Sequence, residues 1–134
     1  ARISRLIANA PATLRGVLGG AGGRYITDEI ARGAVGTMPA VELAELHAAL
    51  FRAHRAGDRP AVRRWFNRML PLLNMQAVFR WALTKEVLRR RGIIEHAGKR
   101  AAGTELDARD QVELTELLAE LSDVLNPPVV RGAS

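Results

Sequence analysis

Apolar and polar residues follow two regimes along the chain. Up to Pro39 the apolar residues come in brief bursts between glycines and prolines. From Val41 onward they recur every three or four residues. Ala1–Asn9 places Ile3, Leu6 and Ile7 on one helical face, closed by Pro11. Thr13–Leu18 is a short run that opens into Gly19-Gly20-Ala21-Gly22-Gly23, the pattern of a buried strand leading into a glycine-rich turn. Thr27 reads as an N-cap, with Asp28 and Glu29 in the first turn where the helix dipole favours acids. Gly33 ends that short helix as its C′ residue. Ala34–Met38 is a second brief run, closed by Pro39. Strand, glycine turn, short helix, strand is a βαβ unit, so the two strands should be parallel with a right-handed crossover.

The rest reads as helix. Val41–Ala56 sets Leu43, Leu46, Leu50 and Ala53 on one stripe and ends at Gly57. Asp58 caps the next helix, with Pro60 tolerated in its first turn. Its apolar face is Val62, Trp65, Phe66, Met69, Leu70 and Leu73, and Pro71 is expected to kink or interrupt it. A further helix carries Val78, Phe79, Ala82, Leu83, Val87 and Leu88. It ends at Arg89-Arg90-Arg91-Gly92, with cations at the negative end and glycine at C′. After a loop from Ile94 to Glu105, Asp107 caps a last helix with Val112, Leu114, Leu117, Leu118, Leu121 and Leu125 inward. Pro127-Pro128 stops it and leaves a loose tail.

Two strands alone make no stable sheet, and strands of a parallel sheet need cover on both faces. The first third therefore reads as the end of a larger α/β fold, and the remainder as a helical appendage.

The 134 residues suffice for one domain. Apolar residues make up 48%, enough for a core, and aromatics only 4%, which favours Ala/Leu-rich helix over sheet. There is no cysteine, which excludes disulfides and zinc-thiolate sites. No apolar run reaches the roughly 18 residues of a membrane span, and no secretory leader is evident. The net charge is +6, and only Lys85 and Lys99 are lysines among 20 cations. The arginines are spread out and accompanied by acids, which reads as a solvated surface and argues against a nucleic-acid face.

Candidate chemistry is sparse. The glycine cluster lacks the Gly-Lys-Ser/Thr of a phosphate loop and the third glycine of a dinucleotide fingerprint. It reads as a sharp turn or a close approach of backbone. His47 and His54 lie seven apart on one helix without a further ligand at metal spacing, so they and His96 read as surface or packing residues, and no metal site is expected. Lys85 reads as an ordinary helix lysine rather than a desolvated Schiff-base lysine. Trp65 and Trp81 read as core, and Arg89–Arg91 as a helix end.

The order and wording of these pieces resemble the C-terminal part of the dihydrodipicolinate synthase / N-acetylneuraminate lyase family. The phrases are Val17-Leu18-Gly19-Gly20, then Asp28-Glu29-Ile30-Ala31-Arg32-Gly33-Ala34-Val35-Gly36-Thr37-Met38. Ala56-Gly57-Asp58, Leu70-Pro71-Leu72, Lys85 through Ile93, and Lys99-Arg100 follow in order. The resemblance runs from Arg2 to Leu125. It implies an α/β fold: strands seven and eight and helices seven and eight of a (β/α)8 barrel over 1–56, a helical extension over 57–125, and a tail over 126–134.

The resemblance also implies a cytoplasmic class I aldolase or lyase acting through a Schiff base on pyruvate or a related 2-oxo acid, with no cofactor. Homo-oligomers, dimers or tetramers, are the family's usual state. The nucleophilic lysine lies at the end of strand six, the proton-shuttling tyrosine on strand five, and the carboxylate-holding segment after strand two. On this reading no catalytic residue lies in the present chain. The partner that supplies them is the part of the barrel upstream of Ala1, and Lys85 matches a lysine of the helical extension. Barrel sites lie at the C-terminal ends of strands. That places Gly20 and Met38, and more weakly Gly19, Ala21 and Thr37, at the substrate pocket. The glycine stretch replaces an acidic pair that some members carry, which points to a divergent specificity. The alternative is a freestanding basic helical module for binding or oligomerisation, without catalysis.

Overall fold

The computed structural model describes residues 2–126. Helix α1 (Arg2–Ala8) is followed by strand β1 (Leu18–Gly22), helix α2 (Ile26–Ala31) and strand β2 (Gly36–Pro39). A 3-10 turn (Val41–Leu43) leads into α3 (Ala44–Arg55), α4 (Arg59–Phe79), α5 (Trp81–Arg90) and α6 (Ala108–Glu120). The two strands are parallel, with Leu18 opposite Gly36 and Gly19 opposite Thr37, as the βαβ reading requires. The expected tail at 127–134 lies outside the described residues.

The core lies among the helices. Leu46 and Leu50 of α3, Met69, Leu72 and Leu73 of α4, Leu83 and Val87 of α5, and Leu114 and Leu118 of α6 are buried together. Leu43 and α2's Ile26 and Ile30 join them. This is the three-to-four spacing of the sequence realised as packing. By contrast α1 buries no residue, and Leu6, Leu14, Leu18, Val35 and Met38 are exposed around the sheet.

Several expectations are corrected. The first strand is not Thr13–Leu18 but Leu18–Gly22, so Gly19, Gly20 and Gly22 lie in the strand and only Gly23 in the turn. Only Val17, whose carbonyl accepts from Val35 at 2.9 Å, extends the pairing upstream. The second strand starts at Gly36, not Ala34. Thr27 does not cap α2: the helix begins at Ile26 behind Tyr25, which makes no side-chain cap. Pro71 does not interrupt α4, which runs through it from Arg59 to Phe79. Pro71 is exposed, so water can serve the carbonyl it leaves without an amide. The break comes instead at Arg80, with φ +49° and ψ −118°, so Val78 and Phe79 belong to α4. Trp81, at the first position of α5, is 68% exposed and not core. Val112 points outward because Leu114, Leu118 and Leu121 already fill the inner face of α6.

The caps at Asp58 and Asp107 stand as expected. Asp58 accepts from the Ala61 amide at 2.9 Å. Asp107 accepts from the Arg109 and Asp110 amides while Asp110 accepts from the Asp107 amide, a reciprocal capping box. Arg91 is not a solvated arginine but 2% exposed, bonded to the Glu45 carboxylate and to the Glu42 and Asn126 carbonyls.

Candidate functional site at the strand ends

The ladder breaks between Gly19 and Gly22, and the chain then runs through Ala21, Gly22 and Gly23 at φ +52°, +68° and +86°. Such left-handed backbone is inexpensive only for glycine. The irregularity re-aims the end of β1 just where candidate binding residues cluster.

The two faces of the sheet differ. A Cβ on Gly19 would fall 1.8 Å from a Glu29 carboxylate oxygen, so α2 lays Glu29 directly on that glycine. Gly19 pairs with Thr37, which therefore shares the α2 side. Alternation puts Gly20 and Met38 on the opposite face, with Leu18 and Gly36. A Cβ on Gly36 would meet the Leu18 side chain at 2.8 Å, consistent with that sharing. Around Gly20 there is open space, and Met38 is 65% exposed. The five expected site residues thus separate: Gly20 and Met38 share the open face, Gly19 and Thr37 lie under α2, and Ala21 is exposed at the bulge.

Polar groups near the strand ends carry unmet hydrogen-bonding capacity. The Gly20 amide makes a long 3.4 Å bond to Glu29 Oε1. Glu29 Oε2, Thr37 Oγ1 and Arg24 Nε are buried with no partner. Buried groups in this state are uncommon. Sequence reasoning passed over Glu29 and Arg24. The signal available was their position flanking the glycines, an arginine directly after Gly23 and an acid two turns on.

Beneath the turn, His47 of α3 packs against Gly23, where a Cβ would fall 2.1 Å from Nε2. His47 Nδ1 lies 2.9 Å from the Leu43 carbonyl and, as the protonated nitrogen, donates to it, leaving Nε2 buried without a partner. Burial pushes the His47 pKa down, against the pull of the Leu43 carbonyl. His47 is a packing residue, as its spacing suggested, and His54 is exposed. Glu42 is fully buried, and its burial raises its pKa against its own backbone hydrogen bond and the hydroxyl of Thr84, which donates at 3.0 Å. Burial would raise Glu45 as well, but the Arg91 guanidinium holds it below the ordinary value. Among the described residues no three acids or histidines converge on a metal position.

Neither lysine stands at a strand end. Lys85 Nζ donates to the Gly98 carbonyl at 2.5 Å, and Lys99 pairs with Glu105 at 2.7 Å. Among the described residues no helix is long and apolar enough to cross a membrane.

No family model matches the sequence, and no curated protein matches it significantly. A solved structure does match: the dihydrodipicolinate synthase from Rhodopseudomonas palustris, with a TM-score of 0.80 and 26% identity. The alignment covers 90% of this chain and 42% of that one, so the present chain spans well under half of its neighbour's length. The parallel βαβ unit and its helical extension are therefore similar, in structure and in about a quarter of their residues, to part of a dihydrodipicolinate synthase.

Proposed function

We propose that the chain is the C-terminal part of a Schiff-base-forming lyase or aldolase of dihydrodipicolinate synthase type, acting on pyruvate or a related 2-oxo acid. The single observation that carries the reading is the likeness over 90% of the chain to a dihydrodipicolinate synthase. The open sheet face supports it. Parallel strands are found covered on both faces, and here Leu18 and Met38 stand exposed on one. On this reading residues 1–56 complete a (β/α)8 barrel, residues 57–125 form its helical extension, and strands preceding Ala1 supply the cover.

Gly20 and Met38 then face the barrel interior. Gly20 lets backbone approach the bound 2-oxo acid, and Met38 gives an apolar wall and a carbonyl. The nucleophile belongs to the preceding part of the barrel, since Lys85 and Lys99 are both engaged away from the strands. The working protein is a homo-oligomer in the cytoplasm.

The test is denaturing intact-mass spectrometry of the source protein after incubation with pyruvate and borohydride, followed by peptide mapping. The expected result is one reduced pyruvate adduct on a species heavier than 14.6 kDa, outside the present residues. A 14.6 kDa species with no adduct would remove the catalytic reading and favour a freestanding binding module.

A further inference from the structure

Where α4 gives way to α5 the chain turns through Arg80 at φ +49° and ψ −118°. That is costly backbone for a residue with a side chain, and strain of this kind collects at binding sites. This turn and the segment 99–104 line an open cavity of about 650 Å³. Its apolar lining comes from Val78, Phe79, Trp81 and Ala82, and Trp81 is an exposed indole. Four cations also line it, Arg80, Lys85, Lys99 and Arg100, and no acid does.

The chain has only two lysines among its 20 cations, and both are here. Each holds a carbonyl of one loop: Lys85 Nζ donates to Gly98 at 2.5 Å and Lys99 Nζ to Thr104 at 3.0 Å. Lys99 also pairs with Glu105, which stands outside the lining. The lysines thus shape the wall, and exposed Arg80 and Arg100 leave positive charge at the cavity. No side chain caps the first turn of α5, so its positive end adds to that charge. Apolar surface with an indole, ringed by cations and free of acids, suits an anion with a greasy body.

We propose that this cavity binds a small organic anion with an aromatic or apolar body. It is separate from the strand ends, for none of Gly19, Gly20, Ala21, Thr37 and Met38 lines it. The test titrates the 134-residue chain carrying Trp65→Phe, which leaves Trp81 as the fluorescent reporter. The probes are 4-phenylbutyrate, the neutral 4-phenylbutanol and inorganic phosphate. Phenylbutyrate is expected to bind with Kd on the order of 1 mM, the scale for a ligand of this size. Phenylbutanol and phosphate should each bind at least about fivefold more weakly, since each lacks one of the two features.

Arg100→Glu should weaken phenylbutyrate by a similar factor, and Arg5→Glu on α1 should leave it unchanged. Arg80→Gly separates structure from binding. It relieves the strained turn and raises Tm, yet weakens phenylbutyrate. Equal binding of the alcohol and the acid, or indifference to Arg100→Glu, would overturn the proposal in favour of a groove for an apolar chain segment. Phenylbutyrate affinity that falls as protein concentration rises would overturn it in favour of a second copy as occupant. No Trp81 response at 10 mM phenylbutyrate, about tenfold above that Kd, would also overturn it.

Discussion

Gly20 and Gly23 lie three residues apart in one glycine-rich stretch and meet opposite demands. A methyl at Gly23 would strike the His47 ring on backbone at φ +86°, so Gly23→Ala should cost about 2–4 kcal/mol, read as a shift in the urea midpoint. A methyl at Gly20 meets nothing within 4 Å, so Gly20→Ala should leave stability within about 0.5 kcal/mol. On the proposed reading the same change lowers kcat/KM of the intact enzyme at least about tenfold, because the methyl enters the face reserved for substrate. Composition and spacing mark both glycines alike. What separates them is His47, a contact from an element some twenty residues on that no local pattern encodes.

Two buried titratable groups oppose one another in pH. Burial lowers His47, so the fold favours neutral imidazole. Its contribution is complete above about pH 6.5 and is lost as pH falls toward the folded value, where the unfolded chain binds the extra proton. Burial raises Glu42, so the fold favours the neutral acid. That contribution is complete below about pH 4.5 and is lost as pH rises through the folded value. Lowering the pH from 7.5 to 5.0 therefore pits a His47 loss against a Glu42 gain. The drop in urea midpoint should be larger in Glu42→Gln than in the native chain, and smaller or reversed in His47→Gln. Identical pH dependence in all three would contradict both assignments.

Among the elements, the long helices were legible because burial follows their 3.6-residue period and side-chain caps mark two of their starts. Asp107→Ala, which removes half of the capping box, should cost about 1 kcal/mol by thermal denaturation. The elements that were misread share a cause: tertiary contacts override local preference. Proline predicted a break at Pro71, yet core residues on both sides, Met69, Leu72 and Leu73, hold α4 together. Pro71→Ala restores the missing amide and should raise stability by about 1–3 kcal/mol, checked by the denaturation midpoint. The true break at Arg80 carries neither glycine nor proline to announce it. The glycines of β1 signalled a turn because glycine is poor in strands. They are strand because Glu29 occupies the place a side chain would take at Gly19. Apolar side chains at Trp81 and Val112 predicted burial, but each stands on the outer side of its helix.

At the scale of the whole molecule, one half of the chain encloses a core and the other carries a two-stranded sheet with an open face. The helices α3 to α6 enclose a buried core joined by the Arg91–Glu45 pair, and Glu45→Gln, which takes the carboxylate from the buried Arg91 guanidinium, is expected to cost about 1–3 kcal/mol in the urea midpoint. The two-stranded sheet has apolar side chains exposed on its open face and, among the described residues, no third strand. On the proposed reading, the Gly20 and Met38 face becomes a site only when further strands complete that sheet. Amide hydrogen exchange on the isolated 134-residue chain tests this most directly. The account predicts fast exchange, near the unprotected rate, across Leu18–Gly22 and Gly36–Met38, beside strong protection at Leu46–Leu50, Leu72–Leu73 and Leu83–Val87. Protection of the strands equal to that of the helices would show a sheet that is complete as it stands, and would contradict the reading of this chain as the end of a larger barrel.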